Sequence, residues 1–238
     1  MKAGAGWWKS KTAMAASLVS VPSSLLPSNA FDSTKVDRLE EALRYIELGW
    51  FVLPLWWPIG LDRCACPDPN CRSIGKHPIG SLAPRGEKDA TRAPAVIRKW
   101  WLHHPDANIG GCPGRSGFIA IDIDPRNGGE SSWMKLEAEH GVAPETVTSQ
   151  TGDGRHLLFA HPGGLLGSGK GLGVGIDIRG DTGYIVLPPS LHKSGKSYRW
   201  IRSPLLDSNG RRNIAFSFSK ILIQGLSGSS PAQGFSRP

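Results

Sequence analysis

No apolar run in the chain reaches the roughly 20 residues that a membrane-spanning helix requires. A membrane anchor is therefore not expected, and a cytoplasmic location is. A working phosphate-binding loop is missing as well. Gly164-Leu165-Leu166-Gly167-Ser168-Gly169-Lys170-Gly171 comes close to one, but residue 171 is glycine where a hydroxyl must hold Mg²⁺, and no helix-forming run follows. A flexible basic loop touching a polyanion is the better reading. Acidic side chains are scarce: 20 Asp and Glu stand against 28 Lys and Arg, a formal net charge of +8. That balance favours a polyanionic partner such as nucleic acid. Tryptophan, by contrast, is plentiful, with nine in 238 residues; some belong in a core, and exposed ones could stack on bases. A chain of this length can bury one good core, or a core and a small accessory unit.

Residues 1–31 read as a disordered leader or a misplaced start. Early lysines, an Ala-rich stretch around Met14 and Ser28-Asn29-Ala30 faintly mimic a secretory signal, but Ser17, Ser20, Pro22, Ser23 and Ser24 interrupt its apolar part. Residues 204–238 read as an extension with a disordered, Ser/Gly-rich end. The span 32–203 between them carries the periodic segments. Asp32/Ser33 can cap a helix in which Val36, Leu39, Ala42, Leu43 and Ile46 recur at helical spacing, until Gly49 ends it. Further helices are expected at 94–101 and 130–140, the second stopped by Gly141. Strands are expected at 50–55, 108–110, 117–124, 146–149, 156–160, 175–179, 184–187 and about 198–201. This order predicts an α+β (mixed α/β) domain of two layers.

The segment Ile119-Ala120-Ile121-Asp122-Ile123-Asp124-Pro125 carries the strongest chemical signal. Side chains alternate along a strand, so Asp122 and Asp124 are expected on one face, roughly 7 Å apart, with the isoleucines turned into a core. Such a pair repels unless a positive charge lies between. Asp177 also sits between isoleucines, in Gly175-Ile176-Asp177-Ile178-Arg179-Gly180. Three converging carboxylates would suit hard divalent cations, Mg²⁺ or Mn²⁺. With histidine and basic side chains nearby, two-metal phosphoryl transfer follows as the natural chemistry. The plainer alternative is that Asp-Pro merely closes a strand.

A second constellation is Cys64-x-Cys66-x4-Cys71-x5-His77, three thiols and an imidazole within 14 residues. It fits a tetrahedral structural zinc site in a loop, 58–86, too poor in apolar residues to fold alone. A disulfide with stray thiols is the competing view. Cys112 stands apart and is expected to be a buried free thiol. Lys76 is either a ligand for template or triphosphate, or a solvated lysine. Arg179-Gly180-Asp181 resembles an adhesion tripeptide but follows a core-facing Ile178, and no such role is assigned to it.

Taken in order, these pieces carry a resemblance. It spans residues 39–200 and includes Gly49-Trp50-Phe51-Val52-Leu53-Pro54-Leu55, Gly75-Lys76-His77-Pro78 and Ala107-Asn108-Ile109-Gly110. The aspartate segment follows, then Thr151-Gly152-Asp153-Gly154-Arg155-His156, Gly183-Tyr184-Ile185-Val186-Leu187-Pro188-Pro189-Ser190 and Gly195-Lys196-Ser197-Tyr198-Arg199-Trp200. The sequence resembles the bifunctional DNA primase/polymerase N-terminal domain family of the archaeo-eukaryotic primase superfamily.

The resemblance implies an RRM-like catalytic core with an N-terminal α/β unit packed against it. It implies that Asp122, Asp124 and Asp177 hold Mg²⁺ or Mn²⁺ and that His156 contacts the phosphates of the incoming nucleotide. Arg179 shares the face of Asp177 and is a candidate for the triphosphate. Arg155 is another, although it alternates with His156 along the strand. Tyr184, Ser190 and His192 fall where the family lines its nucleotide pocket; core packing is the equal alternative for Tyr184. Many superfamily members carry serine where this chain has Gly154, whose backbone N–H is expected to serve instead.

The implied function is a DNA primase–polymerase in replication, using NTP or dNTP on single-stranded DNA. A mobile-element setting and a separate replicative helicase would be consistent with that. A metal-dependent nuclease, or a DNA-binding initiator without catalysis, are the alternatives.

Overall fold

The computed structural model describes residues 37–204, Gly171 excepted. The expected leader, the Asp32/Ser33 cap and the extension from 205 onward lie outside the described residues. Helix α1 (Arg38–Glu47) is capped by Asp37, whose carboxylate accepts the backbone N–H groups of Leu39 at 2.8 Å and Glu40 at 3.3 Å. Glu40 and Glu41 in its first turn complement the positive helix end, and Arg44 pairs with both. The stripe of Leu39, Ala42, Leu43, Tyr45 and Ile46 faces the core as the spacing predicts.

The remaining elements are β1 (Phe51–Leu55), α2 (Pro94–His103), β2 (Asn108–Cys112), β3 (Phe118–Ile123) and α3 (Gly129–His140). They are followed by β4 (Val147–Gln150), β5 (Arg155–Ala160), β6 (Gly169–Lys170), β7 (Ile176–Arg179), β8 (Ile185–Leu187) and β9 (Arg199–Arg202). Every expected strand and helix has its counterpart, with ends displaced by a residue or two except at α1. That helix starts at Arg38 behind an Asp37 cap rather than behind Asp32/Ser33, so that Val36 precedes it. The addition is β6: the glycine-rich segment expected as a loop contributes a two-residue strand. Asp181 of the adhesion-like tripeptide accepts the backbone N–H of Leu166 and pins that segment to the fold.

The strands form two antiparallel sheets, β1-β2-β8 and β6-β7-β3-β5-β4-β9, in a mixed α+β fold. Pro54 is tolerated because β1 is an edge strand. Gly111 on β2 allows a close approach: a Cβ there would lie 2.5 Å from Cδ1 of Leu187.

Strand β3 is buried on both faces, and the two faces meet different partners. Ile119, Ile121 and Ile123 pack with Trp133 of α3 and with Phe159, Ile176 and Ile178. On the opposite face, Phe118 and Ala120 join Tyr45, Trp50, Ile97, Trp101, Val147 and Leu158 in the main core. The next residue on that second face is Asp122, and there the apolar cover gives way to polar side chains.

Tyr45 fastens the main core. Its ring stacks on Trp50 with centroids 5.3 Å apart, its hydroxyl donates to the Pro188 carbonyl at 2.6 Å, and it accepts from Trp200 Nε1 at 3.0 Å. Burial drives its phenol pKa far upward, so it stays a donor. Tyr45→Phe leaves two buried polar groups unpaired and is expected to cost about 1–3 kcal/mol. The midpoint of urea unfolding, at unchanged slope, is the measurement.

Candidate active site

Antiparallel pairing on both sides of β3 sets one row of side chains across the large sheet. Asp122 lies opposite His156 of β5 and opposite Asp177 of β7, and His156 lies opposite Ser149 of β4. His156 Nε2 is 3.7 Å from Asp122 Oδ1, and its Nδ1 is 3.3 Å from Ser149 Oγ. Burial lowers the His156 pKa; the Asp122 charge opposes that shift, and Lys76 and Arg179 add to it. The ring is thus held neutral. A Ser149 hydroxyl that donates to Nδ1 leaves the proton on Nε2, toward Asp122. The Asp177 carboxylate pairs with Arg179 at 3.0 Å, so those two residues share a face as expected.

Asp124 departs from expectation. Strand β3 ends at Ile123, and Asp124 caps a 3₁₀ turn, Pro125–Asn127, instead of continuing the face of Asp122. Its Oδ1 accepts from Arg126 N and Nε at 3.0 and 3.1 Å. Its Oδ2 accepts from Arg126 Nη2 at 3.1 Å and Asn127 Nδ2 at 2.8 Å. These bonds, the Arg126 side chain first, hold its carboxyl below the usual range against the opposing effect of burial. Among the described residues, Asp122, Asp124 and Asp177 do not bring three oxygens within 4.8 Å of one another. Like charges separate, and two of the three acids take their own guanidinium.

Asp122 and His156 of this row line a cavity of about 340 Å³, together with Ser73, Lys76, His77, Arg179, Tyr184 and Tyr198, among others. Of the candidate nucleotide contacts, His156, Arg179 and Tyr184 reach it. The Tyr184 hydroxyl donates to the Lys76 carbonyl at 2.8 Å, and burial pushes its pKa up to about 12.

Three other candidates are engaged elsewhere. Arg155 points away from His156 and grips Glu130 of α3 at 2.5 and 3.1 Å. Ser190 is fully buried and accepts the Ile109 N–H at 2.8 Å, a structural bond. His192 sits edge-on to Tyr198 and bonds Ser194 Oγ at 2.8 Å.

Gly154 also serves differently from expectation: its N–H donates to Thr151 Oγ1 at 3.0 Å and so is not available to a ligand. A Cβ at Gly154 would lie 2.1 Å from the Ile123 carbonyl oxygen, which explains why serine does not stand here.

Ser149, Ser73 and Tyr198 were not evident as site residues. Alternation from Val147 assigns Ser149 a face, but only the β4–β5 register reveals His156 beside it.

In the Cys-rich loop, Cys64, Cys66, Cys71 and His77 bring their ligand atoms within 4.8 Å of one another, and the four cysteines of the chain are all free thiols. Cys71 Sγ and His77 Nδ1 are 3.8 Å apart. Burial raises the Cys64 pKa, but the backbone N–H groups of Cys66 and Gly75 and the neighbouring thiols outweigh it, and the net shift is downward. Three sulfurs and one imidazole facing a common point form a donor set that suits a tetrahedral metal site better than a disulfide. Cys112 is buried, and its pKa is raised to about 12 by burial.

A family model described as bifunctional DNA primase/polymerase, N-terminal, matches residues 42–215. The chain belongs to this family. No curated protein matches the chain. The match takes in both the carboxylate row and the Cys-rich loop of this primase/polymerase domain. Membership gives it a primase/polymerase-class function with DNA and nucleotides as substrates, in a family that generally uses divalent metals. Among the described residues, no helix is long and apolar enough to cross a membrane.

The neutral His156 gives the domain a pH signature. Its folded pKa lies below the unfolded value of about 6.5, so its stabilising contribution is complete above that pH. It is lost as pH falls from there through the folded pKa. His192 is shifted in the same direction, by burial first. Thermal melts of metal-free protein at pH 7.5 and 5.5 are expected to show a drop that His156→Gln reduces; an equal drop in both proteins would contradict the assignment.

Proposed function

We propose that this domain is a metal-dependent DNA primase–polymerase that transfers nucleotides from NTP or dNTP to a 3′-end on single-stranded DNA. The observation that supports it best is the in-register row Asp177–Asp122–His156, of which Asp122 and His156 line a cavity together with Lys76 and Arg179. Oxygen donors on adjacent strands suit a hard cation, and the half-exposed Asp122 carboxylate keeps coordinating capacity beyond its His156 contact. Asp124 would join the set by exchanging Arg126 for a metal ion. Divalent cations bound there would supply activation of the 3′-hydroxyl and stabilisation of the leaving pyrophosphate.

The chain's own groups do the rest. His156 Nε2–H donates to a phosphate oxygen, and Arg179 neutralises triphosphate charge once Asp177 turns to a cation. The 3′-oxygen forms a bond to the α-phosphorus, its proton leaves to water, and the α–β anhydride bond breaks with its electron pair on pyrophosphate. The β6-β7-β3-β5-β4-β9 sheet backed by α3 is read as the RRM-like core, within a catalytic domain of residues 32–203. A separate helicase would open duplex DNA for it.

Incorporation of labelled dNTP and NTP on single-stranded DNA, with and without primer, in Mg²⁺ or Mn²⁺, is the test. Asp122→Ala and Asp177→Ala are expected to lower incorporation by roughly a hundredfold or more. Release of nucleotides from labelled DNA without incorporation would favour a nuclease instead. Salt-sensitive binding without either reaction would favour an initiator.

We assign zinc to Cys64, Cys66, Cys71 and His77. Metal analysis of the purified chain is expected to find about one zinc. Cys71→Ser should lose it and melt at lower temperature.

A further inference from the structure

Lys76 belongs to the Cys-rich loop by sequence and to the catalytic cavity by position. Ser73, Lys76 and His77 form one side of the cavity, and Asp122, His156 and Arg179 lie across it. The segment bearing Lys76 is clamped to the fold through its carbonyls. Asn108 Nδ2 donates to Gly75 O at 2.9 Å, the Tyr184 hydroxyl to Lys76 O at 2.8 Å, and Trp56 N to His77 O at 2.9 Å. Elsewhere in the loop the backbone bonds stay close to home, Ile59 N to Arg63 O at 3.0 Å and Ala65 N to Trp57 O at 2.9 Å. Ile59 and Leu61 are 50% and 68% exposed, and apolar burial resumes at Ile79 and Ala83. The metal-ligand set flanks Lys76, with Cys71 five residues before it and His77 directly after it.

We propose that the Cys-rich loop is a metal-dependent wall of the catalytic cavity, and that Lys76, carried on it, binds the triphosphate of the incoming nucleotide. The inference rests on the nucleotidyl-transfer reading of the site. A polyanion seated over Asp122 needs cations beyond those the carboxylates recruit, and Lys76 and Arg179 are the basic side chains that line the cavity. Burial disfavours the charged Lys76 ammonium and lowers its pKa; the Asp122 and Asp124 charges oppose that shift, and Arg126 and Lys193 add to it. A template strand could be gripped by any basic surface, whereas a lysine inside this cavity meets the group that enters it. Loss of the metal frees the His77 imidazole, and the backbone beside it loosens. The cavity then keeps its carboxylates but loses a placed cation, so zinc sets nucleotide affinity without touching the reacting atoms.

The test is equilibrium binding of a fluorescent dATP analogue to the full chain in Mg²⁺, without template, alongside zinc content and a thermal melt. Lys76→Ala is expected to weaken binding about 10- to 100-fold with zinc retained, and Lys76→Arg to restore part of it. Stripping zinc from the wild type with a chelator, then restoring Mg²⁺, should give a loss of similar size that zinc reverses. Stripping zinc from Lys76→Ala should add little, because both changes remove the same contact.

Unchanged affinity in zinc-free wild type that still melts cooperatively would overturn the coupling. Losses that multiply would overturn it as well. If Lys76→Ala weakens single-stranded DNA binding but leaves dATP binding intact, the lysine serves the template and the proposal fails. A zinc-loaded wild type that binds no triphosphate at all would instead sink the reading of the site, and this inference with it.

Discussion

The register of β3 between β5 and β7 is the constraint on which the site depends. Antiparallel pairing puts Asp122 beside both His156 and Asp177, and no loop intervenes between the three. The apolar half of the same strand enforces that register. A slip of β3 by one residue would turn Ile119, Ile121 and Ile123 away from Trp133 and Phe159 and drive Asp122 into that core. An uncompensated carboxylate among isoleucines is far more expensive than any contact a slip could gain. The hydrophobic pattern that builds the domain therefore also holds its polar row in line.

Electrostatics complete what the register begins. Arg126 bridges Asp124 and Asp153, and Lys196 reaches Asp153 from the 192–196 turn. Three loops, each on a different connection, are thereby tied together by exchangeable ion pairs. Asp177 holds Arg179 in the same way. Pairs this exposed contribute little to stability, so their charges remain open to exchange for a cation or a phosphate.

Most of the strand and helix pattern was legible because it depends on local signals: the Leu39–Ile46 periodicity, Pro94 opening a helix, Gly141 closing another, and isoleucine alternation along β3 and β7. The Cys64–His77 cluster was legible for a similar reason, since its ligands lie close in sequence. Asp122 and Asp177 could be chosen because each alternates with isoleucines, and His156 because the Thr151–His156 motif carries the resemblance.

Contacts made by other candidates were not legible, because their partners lie on other elements: Glu130 for Arg155 and the Ile109 N–H for Ser190. Asp124 leaves the strand face for a local reason, the turn set by Pro125 that follows it. Ser149 carried no signal of its own until the β4–β5 pairing set it beside His156.

The large sheet stops in two different ways. On one side its border is β6, only two residues long, and on the other it is β9, Arg199–Arg202, which begins and ends in exposed arginine. A strand that short offers little backbone for a stranger to pair with, and like charges on neighbouring copies of β9 would repel. Open antiparallel sheets invite growth from one molecule into the next. Here both borders discourage it, which leaves the domain suited to working at high local concentration on a crowded polyanion without polymerising itself.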